Sequence, residues 1–227
     1  MTSASTIDLK SLFGLKPSSP DLQSYINSLA SSIPISTTTP EVKSYSDAVY
    51  FNYYSLGLSL LFTPINDYKP KTGLKLDELK IEKLALDGLD LYNNPPPKTN
   101  TSANSSSKPA PKTTSSLTQT YSSYPVNPLV IELAPLEVKD KEKDKPRPST
   151  FSITPETTGK QFVETLGEPD RKGGGAGPSS GSINIWCEWS KDGLMVEFGG
   201  DESRGPQAWE RGKDAVWKII SIFPPKS

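Results

Sequence analysis

Among 227 residues there is no histidine and only one cysteine, Cys187, and that shortage decides most of the available chemistry. Without imidazole there is no Ser-His or Cys-His activation of a nucleophile, no histidine general base and little transition-metal catalysis. A lone cysteine also excludes an internal disulfide and a cysteine-built zinc cage. Cys187 follows Trp186 and precedes Trp189 in a strand-like run, the setting of a small packed side chain. Carboxylate chemistry is what remains, with Asp87, Asp90, Glu188, Asp192 and Glu197 as the candidates. Glycosidase-type catalysis needs two carboxyls at a set separation in a cleft, and no spacing here fixes such a pair. Glu188 and Glu197 fit better on the outer face of a hairpin, opposite its aromatic side. A carboxylate-based hydrolase or transferase, with a cleft between the halves of the chain, is therefore the alternative reading.

Two stretches carry binding chemistry instead. Arg171-Lys172-Gly173-Gly174-Gly175-Ala176-Gly177 resembles a phosphate cradle in composition, but it lacks the Gly-Lys-Ser/Thr ending and no helix follows. A flexible connection is the plainer expectation, with anion or acidic-partner contact through Arg171 and Lys172 as the other. Trp209-Glu210-Arg211-Gly212-Lys213-Asp214 sets a tryptophan among charges, and Trp and Arg are favoured at interface hot spots. Trp209 either lies back over the core as a lid or, with Arg211 and Lys213, meets a partner. Trp186, Trp189 and Trp217 fall within strand patterns and read as core.

The elements that must position these residues come from a composition that is 33% hydrophobic, with 22 prolines and a formal charge of −1. Such a charge gives no summed positive field for a polyanion, so nucleic acid is not an expected partner. No apolar run approaches a membrane span and no signal-like start is present; the expectation is a cytoplasmic, soluble protein without cofactor or metal, and with peripheral membrane contact as a third reading. Ser19-Pro20-Asp21 starts an amphipathic helix with Leu22, Tyr25, Ile26 and Leu29 on one face. Thr154-Pro155-Glu156 starts another, ending at Gly167, with Phe162, Val163 and Leu166 apolar. Residues 94–128, rich in Pro, Ser, Thr and Asn, read as a disordered linker, and the alternating charges of Lys139–Lys145 as a solvated loop.

A pattern recurs across that linker. Tyr50-x-x-Tyr53-x-x-x-Gly57-Leu58-x-x-x-Phe62 lies over Trp186-x-x-Trp189-x-x-x-Gly193-Leu194-x-x-x-Phe198 without a gap. Each copy reads as a β-hairpin whose glycine supplies the turn, and each follows a helix and precedes an apolar strand. The expected fold is α+β, with two repeats, each one helix packed on a small antiparallel sheet. The first repeat covers 1–93 with an N-terminal arm, and the second covers 129–227.

Helix, hairpin and strand in this order, with Leu166-Gly167-Glu168-Pro169 closing the second helix, resemble the tandem modules of the BamE and β-lactamase-inhibitor-protein type. The run YFNYYSLGLSLLF and the strand ending Asp90-Leu91-Tyr92-Asn93 also resemble the phagosome assembly factor family. That resemblance implies a non-enzymatic adaptor working with protein partners at autophagic membranes, and it transfers no functional residue. The leading expectation is accordingly a non-enzymatic interaction protein that uses a sheet face or the Trp209 region.

Overall fold

Alternating apolar strands and turn-forming glycines organise the computed structural model, which describes residues 8–34, 38–94, 120–135, 147–177 and 181–226. In chain order it contains α1 (Pro20–Ser31), β1 (Glu41–Ser44), β2 (Val49–Tyr53), β3 (Leu58–Pro64), β4 (Leu84–Tyr92), β5 (Leu129–Glu132) and β6 (Thr150–Ile153). Then follow α2 (Gly159–Leu166), β7 (Arg171–Gly177), β8 (Gly181–Trp189), β9 (Leu194–Phe198), α3 (Ala208–Arg211) and β10 (Trp217–Ile222).

Eight strands form one antiparallel sheet in the order β1-β2-β3-β4-β10-β9-β8-β7, and β5 with β6 forms a separate two-stranded ribbon. This corrects the expectation of two helix-on-sheet repeats held apart by a linker. β4 and β10 pair directly, from Tyr92 opposite Ile219 to Leu89 opposite Ile222. Their inward residues Leu84, Leu86, Leu89, Leu91, Ile220 and Ile222 are buried. Edge strands so apolar would leave both ladder groups and side chains open to other chains, and joining the halves removes both edges at once. Most of the expected linker, and the Lys139–Lys145 run, lie outside the described residues. The described end of the linker packs on the first four strands, with Tyr124 buried and its hydroxyl 2.7 Å from that of Tyr25.

Local signals explain both long helices and both hairpins, with a shift of boundary at α2. Pro20 opens α1, Asp21 sits in its first turn, and Leu22, Tyr25, Ile26 and Leu29 are buried. α2 starts at Gly159 rather than at Pro155. The Thr158 amide donates to Gln161 Oε1 at 2.8 Å, a capping-box contact, while Thr154 to Thr157 form a separate turn. Both hairpins turn through a short 3-10 segment closed by a left-handed glycine, Gly57 at φ 57° and Gly193 at φ 62°. A strap crosses each glycine where a Cβ would meet backbone: Ser122 carbonyl over Gly57 and Phe223 carbonyl over Gly193. Between Pro64 and β4 the chain makes two 3-10 turns, Leu76–Glu78 and Ile81–Lys83.

The two faces of the sheet differ. Phe162 of α2 packs on Trp189 and Phe198 and also on Phe151 of the ribbon, so α2 and the ribbon cover one face. The other face carries a row in register across all eight strands: Glu41, Asn52, Ser59, Asp90, Ser221, Met195, Glu188 and Arg171. Neighbours in it bond to each other, Ser59 Oγ donating to Asn52 Oδ1 at 2.9 Å and Ser221 Oγ to Asp90 Oδ1 at 2.6 Å.

Asn93, at the end of β4, fastens the join. Its Nδ2 donates to the carbonyls of Pro155 and Trp217 at 2.8 and 2.9 Å, and its own amide donates to Lys218. Asn93→Ala strands two carbonyls in a buried place, and a loss of about 1–3 kcal/mol is expected. Urea unfolding should show a lower midpoint with an unchanged slope; an unchanged midpoint would remove Asn93 from this role.

Candidate functional site: a groove between α2 and α3

Small residues let α3 sit close to the sheet. Ala208 is fully buried, and a Cβ at Gly212 would collide with the Ile185 side chain. Gly159 at the start of α2 is as close to the Gly212 carbonyl. Backbone bonds zip the two segments, Gly159 N to Ala215 O and Lys160 N to Lys213 O, both 2.9 Å. Because Ala208 points inward, its neighbour Trp209 is turned out, 45% exposed.

Between the helices lies a groove of about 280 Å³, walled by Val163, Ile185, Cys187, Phe198 and Trp209, with Lys213 at its lip. Lys172 on β7, opposite Cys187 in the ladder, holds its Nζ 5.7 Å from the centre of the Trp209 ring. A cation so placed is attracted by the ring face, worth about 0.5–1 kcal/mol at an exposed site. Lys160 and Glu164 are 3.6 Å apart and offset each other. Among the described residues neither Lys172 nor Lys213 forms an ion pair.

Three residues singled out in the sequence, Lys172, Trp209 and Lys213, thus meet at one site, and two do not. Arg211 is exposed on α3 but does not line the groove. Arg171 is on the opposite face of the sheet, 3.2 Å from Glu188. The flexible connection expected from the glycines is instead the edge strand β7, with a bulge between Gly173 and Gly175. A Cβ on Gly173 would run into the Trp186 ring, and one on Gly174 into the Asn184 carbonyl. These glycines serve close approach rather than mobility or a phosphate. Trp186, read as core, belongs to the open face, whereas Trp189 and Trp217 are buried.

Four of the five acidic candidates, all but Asp87, are dispersed in structural ties. Asp192 is buried against Arg147 and accepts from the Ala134 amide at 2.9 Å. Glu188 takes Arg171 and Lys226, and Glu197 takes Asn184 and Lys218. Asp90 accepts from Ser221, and burial, with help from Glu197, raises its carboxyl above the usual range. Among the described residues no group of His, Cys, Asp and Glu could hold a metal ion. No helix there is long and apolar enough to cross a membrane.

Sequence reasoning missed Tyr121 and Tyr124, which sat inside the supposed linker. Their signal was two aromatics in a tract otherwise too polar to fold. No protein-family model matches this chain, and neither a curated protein nor a solved structure does.

Burial pushes the Cys187 thiol from its ordinary 9.0 up to about 11, against the pull of Lys172. At pH 8 its thiolate fraction should be about a hundredfold below that of the unfolded chain. Labelling with a disulfide reagent should be slower by at least that factor in the native protein, and its rate should keep rising between about pH 9 and 11. Equal rates with and without denaturant would show that the groove floor is open.

Proposed function

We propose that this chain is a non-enzymatic protein-binding module that holds a partner in the α2–α3 groove, through one bulky apolar side chain flanked by carboxylates. The observation that carries this reading is Trp209, 45% exposed, in the wall of an apolar groove that Lys213 also lines, with Lys172 on the indole ring and neither lysine ion-paired among the described residues. A half-exposed tryptophan with neighbouring basic groups has the make-up of an interface anchor. The unbalanced charge of Lys172 and Lys213 selects an acidic flank on the occupant. At about 280 Å³ the groove falls just short of the roughly 300–1,000 Å³ of small-molecule pockets, which favours a side chain over a free metabolite. Support for a non-enzymatic role comes from the lining itself. Its ionisable groups are an ion-paired Lys160 and Glu164, a protonated Cys187 and Lys213, with no nucleophile beside a base.

Selection of a random displayed-peptide library on the wild-type protein, with counter-selection on Trp209→Ala/Lys213→Glu, tests this. Enriched peptides should pair a large apolar residue with Asp or Glu, bind at least about tenfold more weakly to the double variant, and change tryptophan fluorescence. Peptides that are basic, or that bind both proteins equally, would overturn the reading.

A further inference from the structure

The uncovered face of the sheet holds a second concavity, of about 660 Å³, on the first four strands. Tyrosines form its walls: Tyr45, Tyr50, Tyr54, Tyr92 and Tyr121, with Asp90 of β4 among them. The walls are braced. Tyr121 stacks on Tyr92 with centroids 3.6 Å apart, touches Tyr54 at 4.5 Å, and donates its hydroxyl to Asn52 Oδ1. Tyr45 meets Tyr50 edge to face at 6.1 Å. Strap residues 121 and 122 hold this arrangement, since the Ser122 amide bonds the Tyr54 carbonyl and Asn94 Nδ2 bonds the Tyr121 carbonyl.

Charge here is acidic. Asp47 and Asp90 line the cleft, and the one cation among its described lining residues, Lys43, is 3.5 Å from Glu41 and 3.4 Å from the Tyr54 hydroxyl. Among the described residues neither Asp47 nor Asp90 has an ion pair. Aromatic faces around uncompensated carboxylates attract an organic cation. A guanidinium suits them better than an ammonium, because it is planar, stacks on rings and forks onto a carboxylate. We propose that this tyrosine cleft receives an arginine side chain of a partner protein, with Asp90 as the ion-pairing group and Tyr50 as the stacking surface. The raised carboxyl of Asp90 agrees with this. An asparagine would keep the contact with Ser221 without the cost of a desolvated charge, so retaining the acid favours binding over stability. The cleft shares no lining residue with the α2–α3 groove, which lies on the other face.

Titration followed by tyrosine-ring resonances, using the capped peptide Gly-Gly-Arg-Gly-Gly, its citrulline and lysine counterparts, and N-methylguanidinium, tests it. The arginine peptide should shift Tyr50 saturably, with the citrulline peptide at least about tenfold weaker. Asp90→Asn should weaken the arginine peptide by about ten- to a hundredfold. The same variant should melt higher at pH 7, an advantage that shrinks as pH falls and Asp90 protonates, because a raised folded pKa makes stability decline as pH rises. Tyr50→Ala, altered at a side chain only partly buried, should also lose binding. Equal binding of citrulline, or no loss on Asp90→Asn, overturns the cation reading. Equal affinity for N-methylguanidinium and the peptide overturns the partner assignment in favour of a small free cation.

Discussion

Antiparallel pairing of β4 with β10 is the contact through which the rest of the molecule is defined. It lets two four-stranded arrays lie side by side without an apolar edge on either, and it brings Asp90 beside Ser221 at the seam. Asn93 and Trp217 tie the same seam to the turn before α2, the indole Nε1 donating to the Thr154 carbonyl at 2.8 Å. Residues 212–216 then have two duties. They form the wall of the groove through Gly212 and Lys213, and they deliver the chain into β10. Groove and seam are therefore separated by only a few residues of backbone, and disturbance of one reaches the other.

The two faces use opposite chemistry for physical reasons that begin with strand alternation. Inward residues such as Phe51, Leu60, Leu89, Ile220 and Val196 are buried under helices and ribbon, where apolar area is removed from water and dominates the stability. Outward residues lack that helical cover, and several of them, Asn52 with Ser59, Asp90 with Ser221 and Glu188 with Arg171, are paired by hydrogen bonds and ions along one row. Glycine mediates both arrangements. At Gly57 and Gly193 it allows a positive φ beneath a crossing strap, and at Gly173 it makes room for the flat side of Trp186.

The element types were largely legible, and their assembly was not. Periodicity identified α1 and its buried face, and the aligned aromatic, glycine and leucine positions identified both hairpins together with their turning residues. Nothing in a strand's own sequence states which strand lies beside it, so the direct join of β4 to β10 could not be read from residues 84–92 or 217–222. The capping pair Thr158 and Gln161 outweighed the more conspicuous Pro155 in starting α2. Composition misled twice: glycines that permit close packing in β7 resembled a flexible connection, and a Ser/Thr-rich tract concealed Tyr121 and Tyr124. Of the site residues, Trp209, Lys172 and Lys213 were visible as types. Their meeting required the β7–β8 register, which places Lys172 on the same face as Cys187.

Joining the halves leaves the sheet with two margins, β1 and β7. β1 is only four residues long and carries Glu41 and Lys43, while β7 is broken by a bulge and begins with Arg171 and Lys172. Short, charged or bulged margins are poor templates for another strand. Both margins of the wide sheet are thereby guarded against lateral growth into fibres by the addition of further strands.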